Sequence, residues 1–114
     1  MRNIKHHALI ITCNDLKVTE TIRSKALEFY KLNMEASHSD KLISPIMESL
    51  INHYYTFTLI PDGSKEGYDA SDDNDVIRNK MVEFLTPLSS SADYHLSFVE
   101  IEFGADDNKK AILN

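Results

Sequence analysis

Two polar side chains near the end of this sequence could support acid–base chemistry. His95 and Ser97 are two residues apart in an alternating segment, so both would lie on one face of a strand. This is half of a two-histidine phosphoesterase signature, which needs a second motif because one histidine acts as base while the other protonates the leaving group. The signature requires a hydroxyl two residues after the histidine, but the threonine that follows His53 is Thr56, three residues later. The second motif is therefore absent. Strand alternation explains His95 equally well.

Cys13 is the candidate nucleophile, because it ends an apolar strand, where nucleophiles of α/β enzymes often lie. A phosphatase-type loop would require an arginine six residues later, and that position is Thr19. We therefore predict a buried structural thiol. A small hydrolase or ligand-binding domain with its site near Cys13, or around His95 and Ser97, is the alternative. A single cysteine makes no internal disulfide, which suits a reducing cytosol.

The segment from Asp62 to Asp73 places oxygen-bearing side chains at alternate positions, as a twelve-residue calcium loop does. Asp69 stands where such a loop has an apolar residue, Asp73 is shorter than the usual glutamate, and a strand precedes where a helix should. The sequence favours a polar turn followed by helix caps. We predict no metal and no cofactor, with calcium binding by this loop left open.

Charge is distributed unevenly along the 114 residues, whose net charge is −6. Residues 58–114 carry five bases and twelve acids, a net charge of −7, whereas residues 1–57 are near neutral. A negative charge concentrated in one half of the chain disfavours binding to nucleic acid or anionic lipid and permits attraction to a basic partner. The longest apolar run, residues 8–11, is too short to span a bilayer, and no signal peptide is expected.

Periodicity predicts the elements that must position these residues. The first element is a central strand at His7–Cys13. A helix follows, capped by Asn14 or Asp15, and this helix runs to about Leu32. The apolar stripe of that helix comprises Ile22, Ala26, Leu27, Phe29 and Tyr30. Pro45 limits the piece Leu42–Ile46 to an edge strand or an irregular extended segment.

The second half begins with a clearer strand at Tyr54–Ile60, with Tyr55, Phe57 and Leu59 on one face. A second helix follows, capped by Ser71, Asp72 or Asp73 and ending at Pro87. Its apolar stripe comprises Ile77, Met81, Phe84 and Leu85.

The last clear strand, His95–Phe103, alternates apolar and acidic residues. This pattern predicts that Val99, Ile101 and Phe103 are buried and that Glu100 and Glu102 face water. Residues 106–110 are expected to form a solvated turn, and residues 111–113 to add a short strand or fray.

The element order predicts one α+β domain over residues 1–114, a ferredoxin-like βαββαβ two-layer sandwich. Two helices would cover one face of a mainly antiparallel sheet, with the first and last strands placed centrally. If residues 42–46 are not a strand, a three-stranded α/β sandwich is the alternative.

Four sequence pieces resemble a family of small proteins of tailed phages and prophages that has no assigned activity. They are His7–Thr12, Ser44–Ile46 with Asn52 and Tyr54, Pro61–Tyr68 with Ser71 and Asp72, and Phe98–Gly104. The resemblance spans most of the chain, and residues 61–68 are its most specific part. It implies a phage accessory protein of the host cytoplasm and no catalytic residues. Tyr68 stands where family members often carry tryptophan.

The charge pattern predicts a non-enzymatic protein-binding module that acts through an acidic face, and the resemblance implies a phage role, for example as a host-takeover or anti-defence inhibitor. The expected partner is a host or phage protein with a basic surface, with no direct nucleic acid and no membrane. A homodimer is left open. Tyrosine beside carboxylates suits a protein interface. The predicted partner-binding residues are Asp62, Glu66, Tyr68, Asp69, Asp72, Asp73 and Asp75.

Overall fold

The structure is a computed structural model that describes the backbone of residues 5–33, 41–61, 63, 69–104 and 107–112, and the side chains of residues 6–32, 41–61, 63 and 72–104. The strands are β1 (Lys5–Cys13), β2 (Met47–Glu48), β3 (Tyr55–Leu59), β4 (Leu96–Gly104) and β5 (Asp107–Ile112). The helices are α1 (Leu16–Asn33) and α2 (Asp69–Leu88).

The five strands form one sheet in the order β2-β3-β1-β4-β5, and every neighbouring pair is antiparallel. The fold is therefore α+β, with an antiparallel sheet and two helices, compatible with the predicted two-layer sandwich. β1 is central, as expected for the most continuously apolar strand. β4 is internal as well, because β5 pairs with its outer edge.

One apolar core lies between the sheet and the helices. The sheet contributes Leu9, Ile11, Phe57 and Leu59, all 0–1% exposed. The helix stripes predicted from the sequence supply the opposite side of this core: Ile22, Ala26 and Tyr30 from α1, and Ile77, Met81 and Leu85 from α2. Asp15 caps α1, since its Oδ1 accepts a hydrogen bond from the Val18 N–H at 3.0 Å.

The boundaries of α2 correct two predictions. The helix begins at Asp69, so Ser71, Asp72 and Asp73 are helical residues and not caps. Short polar side chains favour the whole N-terminal turn as well as the cap, which is why the pattern did not fix the first residue. Pro87 lies inside the last turn, where the helix continues for only one more residue.

The C-terminal strand also differs from its prediction. Residues 107–110 belong to β5, which starts at Asp107, and not to a turn. The segment Leu42–Ile46 is irregular apart from a bridge between Ile43 and Leu59, as one of its two predicted forms required.

The faces of β4 are the reverse of those predicted. Leu96, Phe98 and Glu100 lie on the helix-covered face, where Glu100 is paired with Leu9 across the strands and is 6% exposed. Val99, Ile101 and Phe103 lie on the other face and are only partly buried. A period of two shows which residues share a face, but not which face the helices cover. Arg78, a cation on α2, makes burial of Glu100 tolerable.

Candidate functional site

The turn between β2 and β3 is held in one conformation by hydrogen bonds at its base. The Ser49 N–H donates to the Tyr54 carbonyl at 2.7 Å. The Ser49 hydroxyl donates to the Ile51 carbonyl at 2.6 Å and accepts from the Tyr54 N–H at 3.0 Å. His53 Nδ1, within the turn, lies 2.9 Å from a carboxylate oxygen of Glu48 on β2, and both side chains are exposed. The hydrogen bonds between Ser49 and Tyr54 therefore join the two ends of the turn.

Two residues of this turn, Asn52 and His53, have positive φ angles of 70° and 53°. Asparagine and histidine enter the left-handed region more readily than most residues, although the conformation still costs an L-residue about 1–2 kcal/mol. Strain of this kind persists only where the surrounding contacts impose it, and it is concentrated at functional positions.

Large apolar side chains project from this hydrogen-bonded turn. Leu50 is 98% exposed, Ile51 is 69% exposed, and Met47 on β2 is 64% exposed. We call Leu50 and Ile51 the hairpin tip. These side chains contribute little to the core of their own chain. The arrangement suits insertion into an apolar site on another molecule.

A pocket of about 290 Å³ lies between the start of α1 and the end of α2. Its apolar and aromatic lining comprises Val18, Ile22, Phe84, Leu88 and Tyr94, and Lys17 and Thr21 complete it. Because α1 follows β1 and Tyr94 precedes β4, this pocket lies at the end of the sheet where β1 finishes. The hairpin tip lies at the same end, since Tyr55, the first residue of β3, pairs with Cys13. We call this the hairpin end of the molecule.

The predicted acidic site lies at the opposite end, because α2 starts there and finishes at the pocket. Asp72 and Asp75 are exposed and Asp73 is half-buried. Asp75 forms an ion pair with Arg78, three residues later. Asp69 is the first residue of α2, and its side chain lies outside the described residues, as do Asp62, Glu66 and Tyr68 entirely. The structure thus places three of the seven predicted side chains together on one helix.

A buried ionic group lies behind these aspartates and was missed by the sequence reasoning. Arg78 is 5% exposed and donates from Nε to Glu100 at 3.3 Å, in addition to its contact with Asp75. His7 Nε2 lies 2.8 Å from Glu102 on the neighbouring strand. The signal that could have found this group is the position of Arg78, one residue after Ile77 of the α2 stripe. Arg78 fixes α2 against β4, which is a structural role.

The structure places Cys13 and Ser97, two candidate residues of the enzyme alternative, on opposite faces of the sheet. Cys13 is completely buried on the helix-covered face. Ser97 is exposed and pairs with Thr12, so it lies on the opposite face of the sheet. The exposed His95 precedes β4, and its backbone N–H donates to the Asn14 side chain at 2.8 Å. The sheet therefore separates the Cys13 thiol from the Ser97 hydroxyl, and a site around His95 and Ser97 stays a hypothesis.

Among the described side chains, no three histidine, cysteine or carboxylate groups are close enough to hold a metal ion. Most of the candidate calcium loop, including Asp62, Ser64 and Glu66, lies outside the described residues, so calcium binding by it stays an open hypothesis. Neither described helix combines the length and apolar character required for a membrane span.

The hairpin tip was the other feature that the sequence reasoning missed. A weak signal was present: Leu50 and Ile51 stand between Ser49 and Asn52, residue types that favour turns and loops, which lie at the surface.

Comparison of the chain with protein-family models, with curated proteins and with solved structures found no match.

Proposed function

We propose that this protein is a non-enzymatic protein-binding module. The observation that carries the proposal is the β2–β3 hairpin, which presents Leu50 and Ile51 to solvent from a strained and hydrogen-bonded turn. Exposed apolar side chains on a fixed loop gain free energy when a partner removes them from water. A fixed loop also loses little conformational entropy on binding.

The acidic start of α2 is the second binding surface of the proposal, for a host or phage protein with a basic surface. Four aspartates and no base occupy residues 69–75. Arg78, the first cation along the helix, is buried and contacts Asp75, whereas Asp72 is exposed to solvent. Complementary charge would raise the association rate more than the affinity.

The sequence resemblance supports an origin in tailed phages or prophages and a role in the host cytoplasm, as a host-takeover or anti-defence inhibitor. We further propose a ferredoxin-like fold with β5 as an addition. Without β5, the strand order is β4-β1-β3-β2. The helix α1 connects β1 and β2, which have β3 between them, and α2 connects β3 and β4, which have β1 between them. Split βαβ units require this arrangement.

Affinity capture from a host lysate tests the proposed function. The immobilised chain is compared with Leu50→Ser combined with Ile51→Ser, and with Asp72→Asn combined with Asp73→Asn. We expect at least one retained protein to be lost with one of these pairs. Asp75 is left intact in the second pair because it contacts Arg78.

Two matched controls accompany the capture. Leu32→Ser removes an apolar side chain that is 71% exposed on α1, outside the hairpin. Glu83→Gln removes an exposed acid later on α2. If all variants and controls retain the same proteins, the proposed function is wrong.

A further inference from the structure

We propose that the partner of the hairpin tip is a second copy of this chain. In this reciprocal dimer, Leu50 and Ile51 of each copy insert into the pocket between α1 and α2 of the other. The inference rests on the proposed binding role of the hairpin and deepens it by naming the partner.

The position of the two features supports a closed dimer. The tip and the pocket both lie at the hairpin end of the molecule, the first before Tyr55 and the second beside Tyr94. A two-fold axis requires that one patch contain both the inserting group and its receptor. A tip and a pocket at opposite ends would instead build chains of molecules.

The pocket has the size and chemistry for the tip. A cavity of about 150 Å³ lined by leucine, isoleucine and phenylalanine accommodates benzene. The volume here, about 290 Å³, is about twice that and leaves room for two branched side chains. The walls formed by Val18, Ile22 and Leu88 offer apolar contacts and no charge.

Charge at the two rims is complementary. Lys17 lies at the pocket and is exposed. Glu48 lies beside the tip, and it is the only acidic or basic residue between residues 42 and 61, apart from His53. The absence of lysine and arginine from this segment disfavours an anionic membrane as the partner, because such surfaces attract basic segments. In the reciprocal dimer, Glu48 of one copy approaches Lys17 of the other.

The opposite end of each molecule stays free in this dimer. The start of α2 lies about 30 Å along the helix from Leu88, given a rise of about 1.5 Å for each of its residues. The dimer would therefore carry two acidic surfaces facing away from the interface. A basic partner with two sites would bind such a dimer with increased avidity.

Sedimentation equilibrium of the full chain, from micromolar to millimolar concentration, tests the dimer. We expect a monomer–dimer equilibrium in the wild type. Leu50→Ser combined with Ile51→Ser should weaken the dimer by at least about 100-fold, because four central apolar side chains are lost. Leu32→Ser is the matched control and should leave the dissociation constant unchanged. Circular dichroism checks that each variant is folded.

A charge exchange tests the orientation of the two copies. Lys17→Glu and Glu48→Lys should each weaken the dimer by about 3-fold to 10-fold, and the two together should restore it. Lys31→Glu, an exposed change in the last turn of α1, should have no effect.

Three results would overturn the inference: a wild type that stays monomeric, an unaltered dimer in the tip variant, or assemblies larger than two. The outcome is separable from the proposed function. If the wild type is monomeric and the tip variant still loses a captured protein, only the second copy is excluded as partner. Binding of the tip to anionic vesicles in place of protein would overturn both the reciprocal dimer and the proposed protein-binding function.

Discussion

Arg78 on α2 and Glu100 on β4 form a buried ion pair, with Nε 3.3 Å from Oε2 and side chains that are 6% and 8% exposed. The pair joins the helix layer to the sheet. It also offsets part of the cost of burying Glu100 on the covered face of β4, because the guanidinium supplies a counter-charge.

We expect Arg78→Met to lower the free energy of unfolding by about 3 kcal/mol, since Glu100 would remain buried without this counter-charge. Combining Arg78→Met with Glu100→Leu should recover a large part of the loss, because the buried carboxylate that lacked its guanidinium partner is then removed as well. Urea denaturation of the wild type, both single variants and the double variant measures the coupling. Additive losses would show that the pair is not coupled.

We expect the thiol of Cys13 to be protected from modification. Its side chain is fully buried between β1 and the helices, so a thiol reagent reaches it only after the protein opens. The rate of labelling by a chromogenic disulfide should therefore be slow in buffer and should rise sharply through the urea unfolding transition. Rapid labelling of the folded chain would contradict this burial and would revive the nucleophile hypothesis.

Replacing His53 by glycine should stabilise the protein. His53 has a φ of 53°, and glycine adopts this conformation without steric cost. The lost contact with Glu48 is exposed and worth little. We expect a gain of about 0.5 to 1 kcal/mol by chemical denaturation. His53→Ala, which keeps the strain, is the control and should give no gain. A loss with glycine would mean that the turn is not strained.

The two faces of the sheet should differ in their tolerance of truncation. Ile11 is completely buried under the helices, so Ile11→Ala should cost about 2 to 5 kcal/mol of unfolding free energy. Ile101 lies on the other face and is partly exposed, and Ile101→Ala should cost less than half as much. Thermal melting of both variants compares them directly. Equal losses would indicate that a further layer covers the second face.

The elements themselves were predictable, because local rules specify them. The stripe Ile22, Ala26 and Tyr30 predicts one side of α1, and the pair Asn14 and Asp15 indicates where the helix begins, with Asp15 as the cap in the structure. The alternation of Tyr55, Phe57 and Leu59 predicts the inner face of β3, where Phe57 and Leu59 are buried. The start of α2 was placed too late, because aspartates are favourable both before and within a first turn.

The candidate site was predictable only in part. The sequence indicated that acidic residues gather at the start of α2, and Asp72 and Asp75 are exposed there. Charge density does not show which carboxylates are used internally, and Asp75 is engaged by Arg78. Nor does hydropathy separate Leu50, which is 98% exposed, from Leu9, which is buried, because both are leucines near β-branched neighbours.

The sequence by itself determined the two helices, the main strands, most of the apolar residues that α1, α2 and β3 bury, and the acidic character of the second half. Those properties follow from backbone periodicity, capping and charge, which depend on neighbours along the chain. Only the tertiary structure decided that Glu100 is buried while Val99 is not, and that the hairpin tip and the pocket lie at one end. Such relationships join residues far apart in sequence, and they are fixed by strand register and by the packing of α2 on β4.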